Sequence, residues 1–187
     1  MTWILVAATA ILIGYVIVIY NDLVKKKNMV EEGWSGIETQ LKRRANLIPN
    51  LVETVKGYAD HERKTLEEVT ELRTRSLNAQ TVEGRAEAES ALTQALGHLF
   101  AVAEEYPELR ASENFASLQQ DLGAIEDQIQ LARRYYNGTV RNLNILIESF
   151  PSNLIAGTFN FDEAEFFEIQ DHSARAVPQV SFAPESE

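Results

Sequence analysis

The residues best suited to chemistry are few, and their spacing is wrong for it. His61 and Glu62 begin like the H-E-x-x-H helix of zinc proteases, in which two histidines one turn apart hold the metal and the glutamate activates water, but the second histidine would fall at Thr65. A di-iron helical site wants Glu-x-x-His twice, yet the residues three before His61, His98 and His172 are Tyr58, Ala95 and Ile169. The chain has no cysteine, which removes thiolate nucleophiles, disulfides and Cys-based zinc sites together. There is no glycine-rich phosphate loop and no nucleophile elbow. No catalytic residue, metal ligand or cofactor site is therefore expected, and the protein is not expected to be an enzyme.

A second group of polar residues carries more interest. Arg43, Arg44, Asn46 and Asn50 surround Pro49, and Arg133, Asn137, Arg141, Asn142 and Asn144 cluster about 90 residues later. The plainer reading is a solvated face with side chains bonding the backbone freed by Pro49. The sharper one is an interhelical network that fixes register, or a surface that recognises a partner.

These residues need helices to position them. From Asn28 to Ser76 apolar residues recur at Val30, Trp34, Ile37, Leu41, Ala45, Ile48, Val52, Val55 and Ala59, a stripe on one helical face. Pro49 lies inside it, so a kink near Asn46 to Pro49 is expected. A second helix carries Ala88, Leu92, Ala95, Leu96 and Leu99 and stops before Pro107. Ser112 suits the N-cap of a third, whose face runs from Phe115 through Leu122, Ile129, Tyr136 and Leu143 to Ile147, with Pro151 ending it. With Tyr106 to Ala111 extended, the third helix could start near the membrane and finish at the far tip. Ser152 to Gln170 then folds back as a fourth element. The fold class expected is all-α: one N-terminal transmembrane helix followed by an antiparallel, four-helix-type bundle with long helices. Residues 1–27 form the anchor and its basic flank, 28–170 the bundle, and 171–187 a flexible or extended acidic tail.

The anchor is the uncharged run WILVAATAILIGYVIVIY, Trp3 to Tyr20. As a helix it spans roughly 27 Å, close to a hydrocarbon core of about 30 Å. Trp3 and Tyr20 bracket it where amphipathic rings favour the interface, and Lys25, Lys26 and Lys27 follow. A cleaved signal peptide would carry its positive charge before the run rather than after it. The positive-inside bias places the N-terminus outside and the C-terminal domain in the cytoplasm. The formal net charge is -11, with acidic stretches at Glu83 to Glu89 and from Asp162 onward, so a phosphate backbone is repelled and nucleic acid is not expected as a partner. Lys42 to Arg44 lie roughly 33 Å beyond Tyr20, too far for lipid, and suit the acidic stretches of the same molecule or of a neighbour.

Three motifs carry a resemblance: LKRRANLIPNLVETVKGYADHE, EEYPELRASENFASLQ and ARRYYNGTVRNLNILIESFPSNLIAG. In this order after an N-terminal span they resemble the LemA family from Tyr20 to about Phe167, although Asn46 stands where the family pattern has Asp. The resemblance implies a bacterial inner-membrane protein with a cytoplasmic helical bundle and no established enzymatic activity. The expected function is a membrane-anchored scaffold or adaptor, bound to the lipid bilayer, forming a homo-oligomer and open to a membrane-protein partner. A regulatory subunit of a membrane protease or sensor kinase, and an enzyme or small-ligand binder with an inter-helix pocket, are the alternatives.

Overall fold

A computed structural model describes residues 1–59 and 61–168. All regular structure among them is helical: α1 (Thr2–Lys56), α2 (Arg63–Asn78), α3 (Val82–Ala103), α4 (Pro107–Arg110), α5 (Glu113–Glu148) and α6 (Ser152–Thr158). The 55-residue α1 contains both the apolar run and the first long helix of the packed region, with no interruption at the basic flank or at Pro49.

The helix runs on through Pro49, where the kink is expected, and the chain first turns beyond it. Helix α1 ends at Lys56, and Gly57 to Glu62 turn the chain into α2. A proline removes one hydrogen bond and crowds one carbonyl, a cost that packing on both sides of Pro49 can outweigh. Leu51, Val55 and Ala59 are almost fully buried beyond it.

That extra turn changes the direction of everything downstream. Arg73 of α2 reaches back to Ala45, so α2 runs toward the N-terminal half of α1. Helix α3 reverses again, with Arg85 near Glu38 and Thr93 near Arg44. The turn around α4 follows, and α5 then descends antiparallel to α1: Glu126 meets Arg44, Tyr136 meets Gly33, and the α6 corner meets Tyr20. The third long helix therefore starts at the far tip and ends beside the span, opposite to the sequence expectation. The connection at Tyr106 to Ala111 is not extended but holds the single-turn α4.

Two apolar cores lie along α1. The core nearer the span joins Leu23, Val30 and Ile37 to Ile129, Val140 and Leu143 of α5, Ile155 of α6 and Phe167. The distal core joins Ile48, Leu51 and Val55 to Val69 of α2, Leu92, Leu96 and Leu99 of α3, and Phe115 and Leu122 of α5. Helices α1 and α5 approach closely at Gly33, where an added Cβ would stand 3.2 Å from the Tyr136 Cα and 3.3 Å from the Thr139 hydroxyl. Ser112 holds the N-cap position of α5 without a side-chain cap bond, whereas Thr81 caps α3 by accepting from the Gly84 amide at 3.0 Å.

After α6 the described backbone, residues 159–168, is not helical. It doubles back along α5 from Phe161 to Glu168, so only Ser152–Thr158 of the expected fourth element is a helix. The acidic tail at 171–187 lies outside the described residues.

Candidate functional site

Where the two cores meet, the apolar stripes carry charges. Arg44 falls three residues after Leu41 and four before Ile48, so helical periodicity turns it inward, and Glu89 falls three residues before Leu92 on the inner face of α3. Both are buried. An Arg44 terminal nitrogen lies 3.3 Å from Glu89 Oε2 and 3.2 Å from Glu126 Oε2 of α5, and the other donates to the Thr93 hydroxyl at 2.9 Å. Ser76, at the end of α2, donates to the second Glu89 oxygen. One guanidinium thus ties α1, α3 and α5, and through Glu89 also α2. Burial pushes the Glu89 carboxyl above its usual value, more strongly than the Ser76 hydrogen bond and the Arg44 and Arg85 charges pull it down, and Glu126 adds to the rise.

One turn away the same region repairs the proline. A residue at position 49 with an N–H would bond the carbonyl of Ala45, and Pro49 has none. Arg73 supplies the missing donor, its Nε standing 2.6 Å from the Ala45 oxygen.

Closer to the span, α5 holds the returning backbone with its own side chains. Asn144 donates to the Ala164 carbonyl at 3.0 Å and accepts from the Ala164 amide at 2.9 Å. Asn137 does the same for Phe167, at 3.2 and 2.9 Å. Seven residues of helix rise about 10.5 Å and three residues of extended chain about 10 Å, so the two asparagines match an extended strap running antiparallel to α5. Between them the Tyr136 hydroxyl donates to the Glu165 carbonyl at 2.8 Å. Burial, with a smaller contribution from the Glu165 charge, raises the Tyr136 pKa. The strap inserts Phe167, fully buried, against Trp34, whose ring also meets Tyr136.

The residues singled out from the sequence divide among these places. Arg44 is in the buried network, and Asn137 and Asn144 hold the strap. Arg43 bonds Gln40 and, with the exposed Asn46, lines a shallow groove against Asp121 and Gln128. Pro49 and Asn50 are exposed, Arg133 bonds Gln130, and Arg141 and Asn142 are exposed. Arg133, Asn137 and Arg141 line one groove beside Phe167 and Glu168, apart from the groove that Arg43 and Asn46 line. Trp3 is exposed, as are Lys25 and Lys27, while Lys26 is partly covered. Tyr20 stacks on Phe159 and Phe161 with ring centroids 4.8 and 5.8 Å away. Sequence reasoning did not single out Glu89, Ser76, Thr93, Glu126 or Arg73. The signal was there for Glu89 and Arg73, each a charge at an inward position of an apolar stripe.

These groups can hold helices in register, with Glu89 engaged by both Arg44 and Ser76. His61 and His98 are exposed, His172 lies outside the described residues, and no group of three His, Cys, Asp or Glu able to hold a metal occurs among the described residues.

Among the described residues the regular structure is all helical, the first helix is long and apolar enough to cross a membrane, and the remaining helices are locked by buried polar ties, which defines a class of helical proteins with a candidate N-terminal span. This chain belongs to the LemA family, which it matches over residues 33–182. It is 25% identical over 152 residues to protein LemA of Metamycoplasma hominis, covering 81% of this chain and 69% of that one. It is 27% identical over 188 residues to magnetosome protein MamQ 2 of Paramagnetospirillum magneticum, covering 87% and 68%. Against magnetosome protein MamQ of Magnetospirillum gryphiswaldense it is 24% identical over 174 residues, covering 79% and 64%.

Proposed function

We propose that this protein is a non-enzymatic, membrane-anchored helical-bundle scaffold or adaptor on the cytoplasmic face of a bacterial inner membrane, with its N-terminus outside. The observation that carries the reading is the continuity of α1. Residues 2–15 are exposed and apolar apart from small and hydroxyl side chains, and the same uninterrupted helix becomes the spine of the packed region. A continuous helix transmits position and orientation from the bilayer to a surface about 50 Å away, as a scaffold requires. Lys25, Lys26 and Lys27 give the orientation by the positive-inside rule. The relatives' names specify no reaction, and the buried groups serve register, both in keeping with a role in holding other proteins or copies of itself.

Because the chain contains no cysteine, topology is testable with one substitution. Ser117→Cys, on an exposed position of α5, should react with a membrane-impermeant thiol reagent only after the inner membrane is opened, and affinity purification of the same protein should retain defined membrane proteins in fixed ratio. Labelling from the outer side of intact membranes would reverse the orientation, and recovery of the protein without partners would remove the adaptor role.

A further inference from the structure

Between Glu148 and Asp162 the sequence SFPSNLIAGTFNF holds no charged residue, although it connects an amphipathic helix to an acidic strap. Its helix, α6, has an inner face of Ser152, Ile155 and Ala156 packed toward α1. A soluble helix of this kind would cover its outer face with charge. Here the outer side carries Leu154, 62% exposed, flanked by Phe150 at 80% and Phe159 at 50%.

The height of this corner along α1 decides what covers it. Helix α5 runs down α1 toward the apolar run, and α6 packs on both α5 and α1, its Ile155 and Ala156 belonging to the core that includes Val16, Ile19 and Leu23. Phe159 touches the ring of Tyr20. The exposed apolar surface of the corner therefore reaches the level of Tyr20, at the end of the apolar run. The lysines at 25 to 27 begin only beyond that level, and Lys27 lines a groove with Asn160 and Phe161 where the chain leaves the corner.

We infer that the α6 corner, through Phe150, Leu154 and Phe159, is seated in the interfacial layer of the cytoplasmic leaflet, so that the protein grips the bilayer at two points and not by the span alone. The inference rests on the reading of α1 as a membrane span. Its occupant is lipid because the surface is joined to the lipid-facing helix, bears no charge that would have to be desolvated, and carries the Phe and Leu side chains that an interfacial helix buries. A second contact point fixes the rotation of α1 about its own axis and the tilt of the packed helices, which a single helical anchor leaves free.

Full-length protein in phosphatidylcholine and phosphatidylglycerol vesicles tests this with three single-cysteine variants carrying an environment-sensitive fluorophore: Leu12→Cys in the span, Leu154→Cys on the corner and Leu131→Cys on the exposed face of α5. All three positions are exposed in the protein, so the label disturbs no core. Nitroxides attached to lipid at shallow and deep positions, and aqueous iodide, serve as quenchers. The label at position 12 should be quenched by deep nitroxides, that at 154 by shallow nitroxides with several-fold protection from iodide, and that at 131 by iodide only. If position 154 behaves like position 131 while position 12 senses lipid, the corner inference is overturned and the span stands. If position 12 is quenched only by iodide, the span reading fails and takes the corner with it.

Discussion

At the scale of single residues, the most informative pair is Pro49 and Arg73. The sequence marks Pro49 as the source of a kink, and in the structure the helix runs through it while Arg73, from another element, bonds the carbonyl the proline leaves free. Arg73→Ala should destabilise the protein by about 1–2 kcal/mol, and by clearly less in a Pro49→Ala background, where the backbone supplies its own donor. Equal losses in the two backgrounds, measured by denaturant unfolding, would show that the carbonyl is not what Arg73 serves. Glu89 gives a pH signature. Its folded pKa lies above the ordinary 4.5, so the folded state holds the proton more tightly than the unfolded one. That contribution to stability is complete below the ordinary carboxylate range and is lost as pH rises through the raised value. In a pH series of unfolding free energies, wild type should lose stability relative to Glu89→Gln across this window, and parallel curves would argue that Glu89 does not titrate there. How legible these residues are in the sequence follows from what each interaction needs. Arg44, Asn137 and Asn144 stand out by type and place, but their partners, Glu89, Glu126 and the backbone of residues 164 and 167, lie 20 to 82 positions away in the chain and are fixed only by packing.

At the scale of elements, apolar periodicity locates the helical faces well. Every residue of the stripe from Val30 to Ala59 is buried or partly buried, as are Phe115, Leu122, Ile129, Tyr136 and Leu143 of α5. Direction is less legible, because it depends on counting turns. A single helix from Asn28 to Ser76 requires no reversal before Asn78, whereas the turn at Gly57 to Glu62 adds one and inverts α5. The pattern is nearly silent about that turn: Val55, Ala59 and Leu66 keep an acceptable helical spacing across it. The strap is illegible for a different reason. Its backbone satisfies itself on side-chain amides, which leave no periodic trace. This makes the strap separable by mutation. Asn137→Ala with Asn144→Ala removes both ends of the zipper, and the amides of Ala164 and Phe167 should then exchange with deuterium faster by one to two orders of magnitude, in line with about 1–3 kcal/mol per unsatisfied group. Amides of α2 and α3 should be unaffected, and acceleration spread evenly over all helices would mean that the strap is part of the global fold and not a layer upon it.

At the scale of the whole molecule, charge and shape bear on self-association. The sequence sets a basic block at Lys42 to Arg44 against acidic stretches, which could join one molecule to the next. Within the protein, however, Arg44 is enclosed with Glu89 and Glu126, Arg75 lies 3.7 Å from Glu87, and Arg85 lies 3.9 Å from Glu38. Arg44 of the basic block and Glu87 and Glu89 of the acidic stretch are thus matched inside one copy, and exposed surface pairs are of the kind that contribute little. The homo-oligomer proposed for this protein draws its main contacts from the apolar part of α1. Ala7, Ala10 and Gly14 recur there on one helical face, and a Cβ at Gly14 would meet nothing within 4 Å, so a neighbouring helix has room to approach. Lipid does not compete through hydrophobicity, since its chains are as apolar as the helix, and association in this setting depends on close packing. Mass measurement of the full-length protein in mild detergent should therefore find an oligomer whose size is insensitive to salt between about 0.05 and 0.5 M and which dissociates when Gly14→Leu fills the face. Dissociation by salt with no response to Gly14→Leu would return the contact to the charged surface, and a monomer at every concentration would remove self-assembly from the proposed function.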